Sequence, residues 1–146
     1  MTDDDMLRLD RQVCFPLYAA SNLITRLYRP LLDAIGLTYP QYLVMMVLWE
    51  KSPCTVGEVG LQLHLDTGTL TPLLKRMEAG GLVARQRDAI DERRVQVRLT
   101  AQGKALREQA RTVPMALAGN LSMTGHELET LRSVVAGLVE ALATEK

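Results

Sequence analysis

The N-terminal third of this 146-residue chain contains the residues best suited to covalent chemistry. Cys14 lies two residues before Pro16, and proline is favoured in the first turn of a helix. The dipole of such a helix would favour the thiolate, which is the nucleophilic form of cysteine. Phenol hydroxyls nearby could donate hydrogen bonds to it. All aromatic residues of the chain lie close by in sequence: Phe15, Tyr18, Tyr28, Tyr39, Tyr42 and Trp49.

Helical spacing decides which tyrosines could reach the thiol. Tyr18 is four residues after Cys14 and shares its helix face. Tyr28 is fourteen residues after Cys14, roughly 21 Å along a straight helix, so without a fold-back it could reach only the cysteine of an antiparallel partner helix. The simpler alternative is a small buried cysteine beside tyrosines that pack a dimer. Spacing alone favours this simpler alternative.

The remaining reactive residues do not form a pattern typical of an enzyme or a metal centre. Cys14 has no T-x-x-C context, no C-x-x-C partner and no obvious base, so we expect no enzymatic turnover. His64 and His126 lack metal-ligand spacing with the cysteines, and we expect neither a metal nor a cofactor. Cys54 is expected to pack onto Val59 as a hydrophobic staple.

Residues 55–100 have the element order of a winged helix-turn-helix, which is two helices followed by two strands. Thr55 and Glu58 predict a capping box at the start of the first helix. Gly57 and Gly60 are costly in a helix and predict a close approach to another helix. The residues expected on its buried side are Val59, Leu61, Leu63 and Leu65.

The second helix combines an apolar stripe with a polar face. We favour a start at Asp66 with a kink at Pro72, although a cap at Thr71 with Pro72 as the first residue is the alternative. The stripe comprises Leu70, Leu73, Leu74 and Met77. The polar face offers donors suited to phosphates or base edges, namely Thr67, Thr69, Thr71, Lys75 and Arg76.

Two strands and a charged tip follow the Gly80-Gly81 pair. Strand-like residues begin at Leu82, and apolar residues alternate with polar ones from Arg94 to Leu99. Residues 88–93 would form the tip, where Arg93 could enter a minor groove while Asp91 holds its side chain. A solvated hairpin with surface ion pairs is the alternative, but attachment to a helix-turn-helix favours DNA binding.

The charge is distributed as expected for a DNA-binding face on a neutral protein. The formal net charge is zero, yet the segment from Pro72 to Arg98 contains seven basic and only four acidic residues. A local basic face attracts phosphate less indiscriminately than a uniformly basic protein, which leaves more of the affinity to specific contacts.

Four further helices are predicted around this module. They run from Asp10 to Ile35, from the Thr38 cap through Trp49, from the Thr100 cap and Ala101 past Arg111 to Leu117, and from the Thr124 cap through Ala143. The resulting fold class is mostly α with a small β wing. The first and last helices have more apolar surface than so small a module can cover, which predicts a two-fold dimer.

Such a dimer could place its two modules in successive major grooves of a near-palindromic site. We expect one domain over residues 1–146, with dimerisation helices at 10–36 and 101–146 and the DNA-binding lobe at 38–100. The acidic N-terminus does not resemble a signal peptide, and no apolar run is long enough for a membrane span. A cytoplasmic protein without a structural disulfide is the expectation.

The chain resembles the MarR family of transcription regulators, specifically its organic hydroperoxide regulators, over nearly its whole length. The motifs that carry the resemblance are C-F-x-L-Y, Y-R-P-L-L, T-Y-P-Q-Y and G-T-L-T-P-L-L-K-R. In that group a reduced N-terminal cysteine permits operator binding, and an organic hydroperoxide oxidises it so that the dimer releases DNA.

The resemblance implies roles for individual residues. Cys14 would sense the peroxide, Tyr28 and Tyr39 of the opposite subunit would hydrogen-bond it, and Tyr18 would lie nearby. The segment from Asp66 to Arg76 would enter the major groove. Asp91 and Arg93 would act at the wing.

The chain departs from the pattern of such relatives in two ways. Two-cysteine members carry a resolving cysteine after the wing, whereas this chain has none beyond Thr100. Oxidised Cys14 would then form a mixed disulfide with a small thiol or over-oxidise, and a disulfide with Cys54 is a minor alternative. Thr67 stands where many relatives have serine, so operator preference could differ.

A repressor released by a non-covalent phenolic ligand, bound among the same aromatic residues at the dimer interface, is the alternative function.

Overall fold

Caps and turns divide the chain into eight α-helices, a short 3-10 helix and three strands within residues 3–144, which the computed structural model describes. In order these are α1 Asp3–Met6, the 3-10 helix Leu9–Arg11, α2 Cys14–Asp33, α3 Tyr39–Glu50, β1 Cys54–Thr55, α4 Val56–Leu63, α5 Thr67–Ala79, β2 Val83–Arg87, β3 Val95–Leu99, α6 Ala101–Ala110, α7 Val113–Asn120 and α8 Gly125–Ala143. The predicted class, mostly α with a small β wing, is confirmed. No helix in the described range is long and apolar enough to cross a membrane.

Threonine caps define where most of the long helices begin. The predicted capping boxes at Thr38 and Thr124 both form, each with its glutamine or glutamate three residues later. At Thr55 only half of the predicted box forms: the hydroxyl accepts the N–H of Glu58 at 3.1 Å, while the Glu58 carboxylate lies near Lys51 and Arg94. The prediction of a complete box was therefore wrong, because cationic neighbours attract this carboxylate.

The first long helix starts later than predicted. A 3-10 turn ends at Arg11, Gln12 is extended, and α2 begins at Cys14 instead of Asp10. A helix from Asp10 would place Pro16 in its interior, where the ring clashes with the carbonyl of Gln12. With the start at Cys14, Pro16 is the third helical residue and its missing N–H leaves no bond unmade.

The helix after β3 is divided in two. Residues 101–117 were predicted to be continuous, but α6 ends at Ala110 and α7 begins at Val113. In a continuous helix Pro114 would remove the hydrogen bond to the Ala110 carbonyl and clash with it. In α7 it is the second residue, where proline is tolerated.

A three-stranded antiparallel sheet closes the winged module, with strand order β1-β3-β2. β2 and β3 were predicted, whereas β1 was not. Cys54 of β1 pairs with Val97, which on its other side pairs with Arg85 of β2. This register places β3 in the centre of the sheet, with the wing tip at residues 88–94.

The core of the winged module collects apolar residues from all of its elements. Val44, Met45, Val59, Leu74 and Val97 are each fully buried in it. One predicted core residue is wrongly placed, because Leu61 is 79 % exposed on α4.

The described residues separate into two compact units, one ending at Val113 and one beginning at Pro114. α8 in the second unit contains no buried residue. Its apolar face is exposed, at 46 % for Leu131, 67 % for Val134, 39 % for Leu138, 38 % for Val139 and 60 % for Leu142. The assignment of residues 1–146 to one domain with two dimerisation segments stays a prediction.

Candidate nucleic-acid interface and candidate redox site

Helix α5 buries its apolar stripe and exposes its polar face, as its periodicity predicted. Leu70, Leu73, Leu74 and Met77 are at most 5 % exposed. The predicted start is confirmed, because the Asp66 carboxylate caps the helix by accepting the N–H of Thr69 at 2.7 Å. Most of the predicted DNA-contacting side chains lie on the open face: Thr67, Thr69, Lys75 and Arg76 are exposed, and Thr71 is half-buried.

A basic groove of about 660 Å³ lies between the start of α4, the open face of α5 and the wing strands. Four of the predicted site residues meet there, namely Thr67, Thr71, Lys75 and Arg93. Asp66, Thr69, Arg76 and Asp91 do not line it. Other lining residues were not predicted as site residues: Thr55, Val56, Gly57, Leu74, Arg85, Arg87, Arg94 and Val95. Their individual charges were visible in the sequence, but their convergence on one groove was not.

The wing tip is ordered by its own carboxylates. Asp91 accepts the backbone N–H of Arg93 and its Nε, both at 3.1 Å, and the side-chain bond is the larger cause of a lowered Asp91 pKa. Asp88 accepts the N–H of Ile90 at 2.8 Å. The Arg93 side chain nevertheless remains 91 % exposed. Asp91 therefore holds Arg93 as expected, while their role on DNA stays a prediction.

Besides Asp91, two acidic side chains form ion pairs with arginines of the basic groove. Glu78, in the last turn of α5, binds Arg85 of β2 with Oε1 to Nη2 at 3.1 Å. Glu58 lies 4.0 Å from Arg94. No sequence pattern indicates the first pair, because its partners are seven residues apart across a turn instead of three or four apart on a helix.

The two histidines lie on different helices, His64 at the end of α4 and His126 in the first turn of α8. His64 adopts a left-handed conformation, with φ 55°, as the C-cap of α4, and it is exposed. Within the part of the chain that the structure describes, no group of three His, Cys, Asp or Glu side chains could hold a metal ion.

Cys14 is an exposed free thiol at the first residue of α2. This location agrees with the predicted position at a helix N-terminus. The alternative, a small cysteine buried beside tyrosines that pack a dimer, stays a prediction. Tyr18, one helical turn later, is 69 % exposed. Beside the thiol, Arg8, Leu9, Asp10, Phe15 and Pro16 line a largely apolar depression of about 540 Å³.

Three tyrosines form a separate aromatic cluster. The ring centroids of Tyr28 and Tyr39 are 4.8 Å apart, and those of Tyr28 and Tyr42 are 5.9 Å apart. Burial, followed by the proximity of Tyr39 and Tyr42, raises the pKa of Tyr28 to about 12. Burial also raises the pKa of Tyr39 and of Tyr42. These phenols are therefore neutral hydrogen-bond donors at physiological pH.

One protomer does not bring Cys14 together with this cluster. α2 is continuous from Cys14 to Asp33, so the fourteen residues up to Tyr28 separate the two along the helix axis by roughly 21 Å. The spacing argument from the sequence therefore holds for the folded chain.

Cys54 has a different environment. It is 2 % exposed in β1, its thiol lies 2.9 Å from the Lys51 carbonyl, and burial is the largest cause of its raised pKa. Both cysteines are free. Cys54 and Val59 belong to one core cluster, in keeping with a packing role.

Comparisons with known proteins agree on the class of this chain. Residues 26–109 match the family model described as transcriptional regulator SarA/Rot. An organic hydroperoxide resistance transcriptional regulator of Bacillus subtilis is 46 % identical over 94 % of both chains. Reduced AbfR of Staphylococcus epidermidis bound to DNA is 36 % identical, with a TM-score of 0.81 over 99 % of this chain and 98 % of that one.

Overoxidised AbfR bound to DNA has a TM-score of 0.71 and 36 % identity over 92 % of this chain and 98 % of that one. The structure adds the capped helix α5, which is the predicted DNA-reading helix, the basic groove and the three-stranded sheet with its wing. Together with these features, the similarities identify the fold and the family. The chain belongs to the MarR family of winged helix-turn-helix transcriptional regulators and groups with its organic hydroperoxide resistance regulators.

Proposed function

We propose that this DNA-binding regulator is a dimeric repressor that holds a near-palindromic operator while Cys14 is reduced and releases it when an organic hydroperoxide oxidises Cys14. The observation that carries the proposal is the exposed thiol at the first residue of α2. It occurs in a chain 46 % identical to an organic hydroperoxide resistance regulator.

The first step is a two-electron oxidation of sulfur. The Cys14 thiolate attacks one peroxide oxygen, an S–O bond forms and the O–O bond breaks. The alkoxide leaves and takes up a proton, so the products are a sulfenic acid and an alcohol. A small thiol can then displace hydroxide from the sulfenic sulfur, which yields a mixed disulfide and water. Without a second thiol, further peroxide leads to sulfinic acid.

The second step needs a partner protomer. Exposed apolar side chains at the N-cap of α2 and along it, among them Val13, Phe15 and Leu23, and those on α8 supply the surface for a two-fold dimer. Antiparallel α2 helices would bring Cys14 of one protomer to Tyr28 and Tyr39 of the other. Because these phenols are neutral donors, they suit a thiolate acceptor and also sense its conversion into a larger polar adduct.

The energy required for release is small. A tenfold loss of operator affinity corresponds to about 1.4 kcal/mol. Loss of two hydrogen bonds of about 1 kcal/mol each is therefore enough, provided that displacement of the tyrosines changes the spacing of the two reading helices. AbfR occurs on DNA in both reduced and overoxidised crystals, so release has to be measured in solution.

On DNA, α5 would lie in the major groove with Asp66, Thr67, Thr69, Thr71, Lys75 and Arg76 along its accessible side. Asp91 and Arg93 would reach the adjacent minor groove from the wing. The exposure of Arg93 and the convergence of Thr67, Thr71, Lys75 and Arg93 on one basic groove support this arrangement.

The test is an operator-binding assay with and without cumene hydroperoxide, on a duplex selected from a random pool by the reduced protein. Wild type should lose at least tenfold in affinity on oxidation, which is about 1.4 kcal/mol. Cys14→Ser should bind normally and ignore the peroxide. Cys54→Ala is the matched control and should respond like wild type. Release of the Cys14→Ser variant by peroxide would place the sensor elsewhere.

A second candidate is release by a phenolic acid bound among Tyr28, Tyr39 and Tyr42. The tilted rings of Tyr28 and Tyr39 are half-buried and offer stacking surfaces for a phenyl group, while Tyr42 is buried behind them in the core cluster. Release by such a ligand that persists in Cys14→Ser would favour this function over peroxide sensing.

A further inference from the structure

The groove wall contains a cation whose hydrogen-bonding fork is already occupied. Glu78 accepts the backbone N–H of Arg85 at 2.9 Å through Oε2, and Nη2 and Nε of Arg85 at 3.1 and 3.3 Å through Oε1. The Arg85 side chain is only 23 % exposed. The Nε and Nη2 groups of the guanidinium therefore share one carboxylate oxygen, and this pair of donors is one that arginine can otherwise offer to a phosphate.

The other arginines of the groove are more exposed than Arg85. Arg87 donates to the carbonyl of Glu92 at 2.9 Å, which leaves its positive charge uncompensated. Arg94 and Glu58 are 4.0 Å apart, and the arginine side chain is 55 % exposed. Arg93 is paired with Asp91 but projects from the tip, 91 % exposed. Among these arginines, only Arg85 is both paired with a carboxylate and largely buried.

We propose that Glu78 withdraws Arg85 from the phosphate-binding charge of the groove and so restrains affinity for DNA of any sequence. The proposal rests on the proposed DNA-binding function. Each cation that neutralises a phosphate of B-DNA adds about 0.9 to the slope of log affinity against log salt. A guanidinium that stays buried against a carboxylate when DNA binds adds nothing to that slope, whereas an exposed pair such as Asp91–Arg93 can open towards a phosphate. Since a regulator depends on the ratio of operator to non-specific affinity, such restraint increases selectivity.

The same pair also connects the end of α5 to β2, so structural and electrostatic roles must be separated. Glu78→Gln keeps one of the two accepting oxygens and the length of the side chain but frees the charge of Arg85. The double variant Glu78→Gln/Arg85→Gln removes both charges and leaves two amides of similar length. A purely structural role predicts that both variants weaken binding without a change in salt slope.

The experiment is a salt titration of binding to a mixed-sequence duplex and to the selected operator, with folding checked by circular dichroism. Glu78→Gln should steepen the mixed-sequence slope by about 0.9 per protomer, which corresponds to about threefold more affinity gained per protomer between 200 and 50 mM salt. Its operator-to-mixed ratio should fall. The double variant should return to the wild-type slope.

Two controls fix the scale. Glu108→Gln breaks an exposed Glu108–Arg111 pair outside the groove and should leave the slope unchanged. Arg87→Gln removes an uncompensated groove charge and should make the slope shallower by about 0.9 per protomer.

Two results would overturn the proposal. An unchanged slope in Glu78→Gln would mean that Arg85 does not neutralise a phosphate even when its carboxylate partner is removed. A shallower slope in the double variant would mean that Arg85 already contacts a phosphate in wild type. Failure of wild type to bind either duplex would overturn the proposed DNA-binding function itself.

Discussion

Among the tyrosines of the proposed redox site, Tyr28 has the most strongly raised pKa. Its pKa is raised from 10.0 to about 12, first by burial and then by Tyr39 and Tyr42. Above pH 10 the unfolded chain loses this proton before the folded chain does. The contribution of Tyr28 to stability is therefore fully present below pH 10 and is lost as the pH rises towards 12.

This behaviour gives a prediction for the free energy of unfolding between pH 9 and 11.5, measured with urea at each pH. Wild type should become steadily less stable above pH 10, and Tyr28→Phe should show a weaker pH dependence because it has no phenol to ionise. Some dependence should persist, since the pKa values of Tyr39 and Tyr42 are raised as well. Identical curves for the two proteins would show that Tyr28 is not desolvated.

Helix α4 shows how two glycines with the same propensity cost serve different ends. A Cβ at Gly60 would lie 2.7 Å from the Leu65 carbonyl oxygen and 3.2 Å from Leu70 Cδ1, so this glycine lets α4 approach the turn that leads into α5. A Cβ at Gly57 would meet only the Thr55 hydroxyl oxygen, at 3.8 Å. The predicted close approach is therefore confirmed at Gly60 and wrong at Gly57.

Alanine substitutions in α4 should consequently have opposite signs. Gly57→Ala should stabilise the protein by up to about 1 kcal/mol, because alanine loses less backbone entropy in a helix. Gly60→Ala should destabilise it by about 1–3 kcal/mol, because the packed turn must move. Urea denaturation of the two variants beside wild type measures both values, and stabilisation by Gly60→Ala would contradict the packing described.

At the scale of the whole molecule, the proposed function requires a second copy of the chain. α8 exposes Leu131, Val134 and Leu138, and a contiguous apolar face of this kind is typical of a surface that binds a partner. The proposed sensor also requires two protomers, because Cys14 and Tyr28 lie too far apart along one helix.

A charged residue introduced on the apolar face of α8 should therefore dissociate the proposed dimer. Leu138→Glu should shift the protein to monomer in light scattering after gel filtration and weaken operator binding at least tenfold, since one reading helix replaces two. Ser133→Glu introduces the same charge on the opposite face of α8 and should remain dimeric. A dimeric Leu138→Glu protein would exclude this face from the interface.

Much of the fold and part of the candidate site were determined by the sequence alone. The caps at Thr38, Asp66, Thr100 and Thr124 and the buried stripe of α5 depend on residues within four positions of one another. Such short-range patterns are legible because helix geometry brings these positions together whatever the rest of the chain does. Pro16 likewise indicated a helix start near Cys14, although the helical pattern had suggested a start at Asp10.

The tertiary structure alone decided the features that depend on distant partners. β1 exists because Cys54 and Thr55 pair with a strand far along the chain, and two residues carry no periodicity of their own. Leu61 has the right residue type for a core, but it is exposed because nothing packs there. The Glu78–Arg85 pair requires the turn after α5 to bring β2 back against the helix. Pairing and burial of this kind depend on how elements pack, which short-range spacing does not encode.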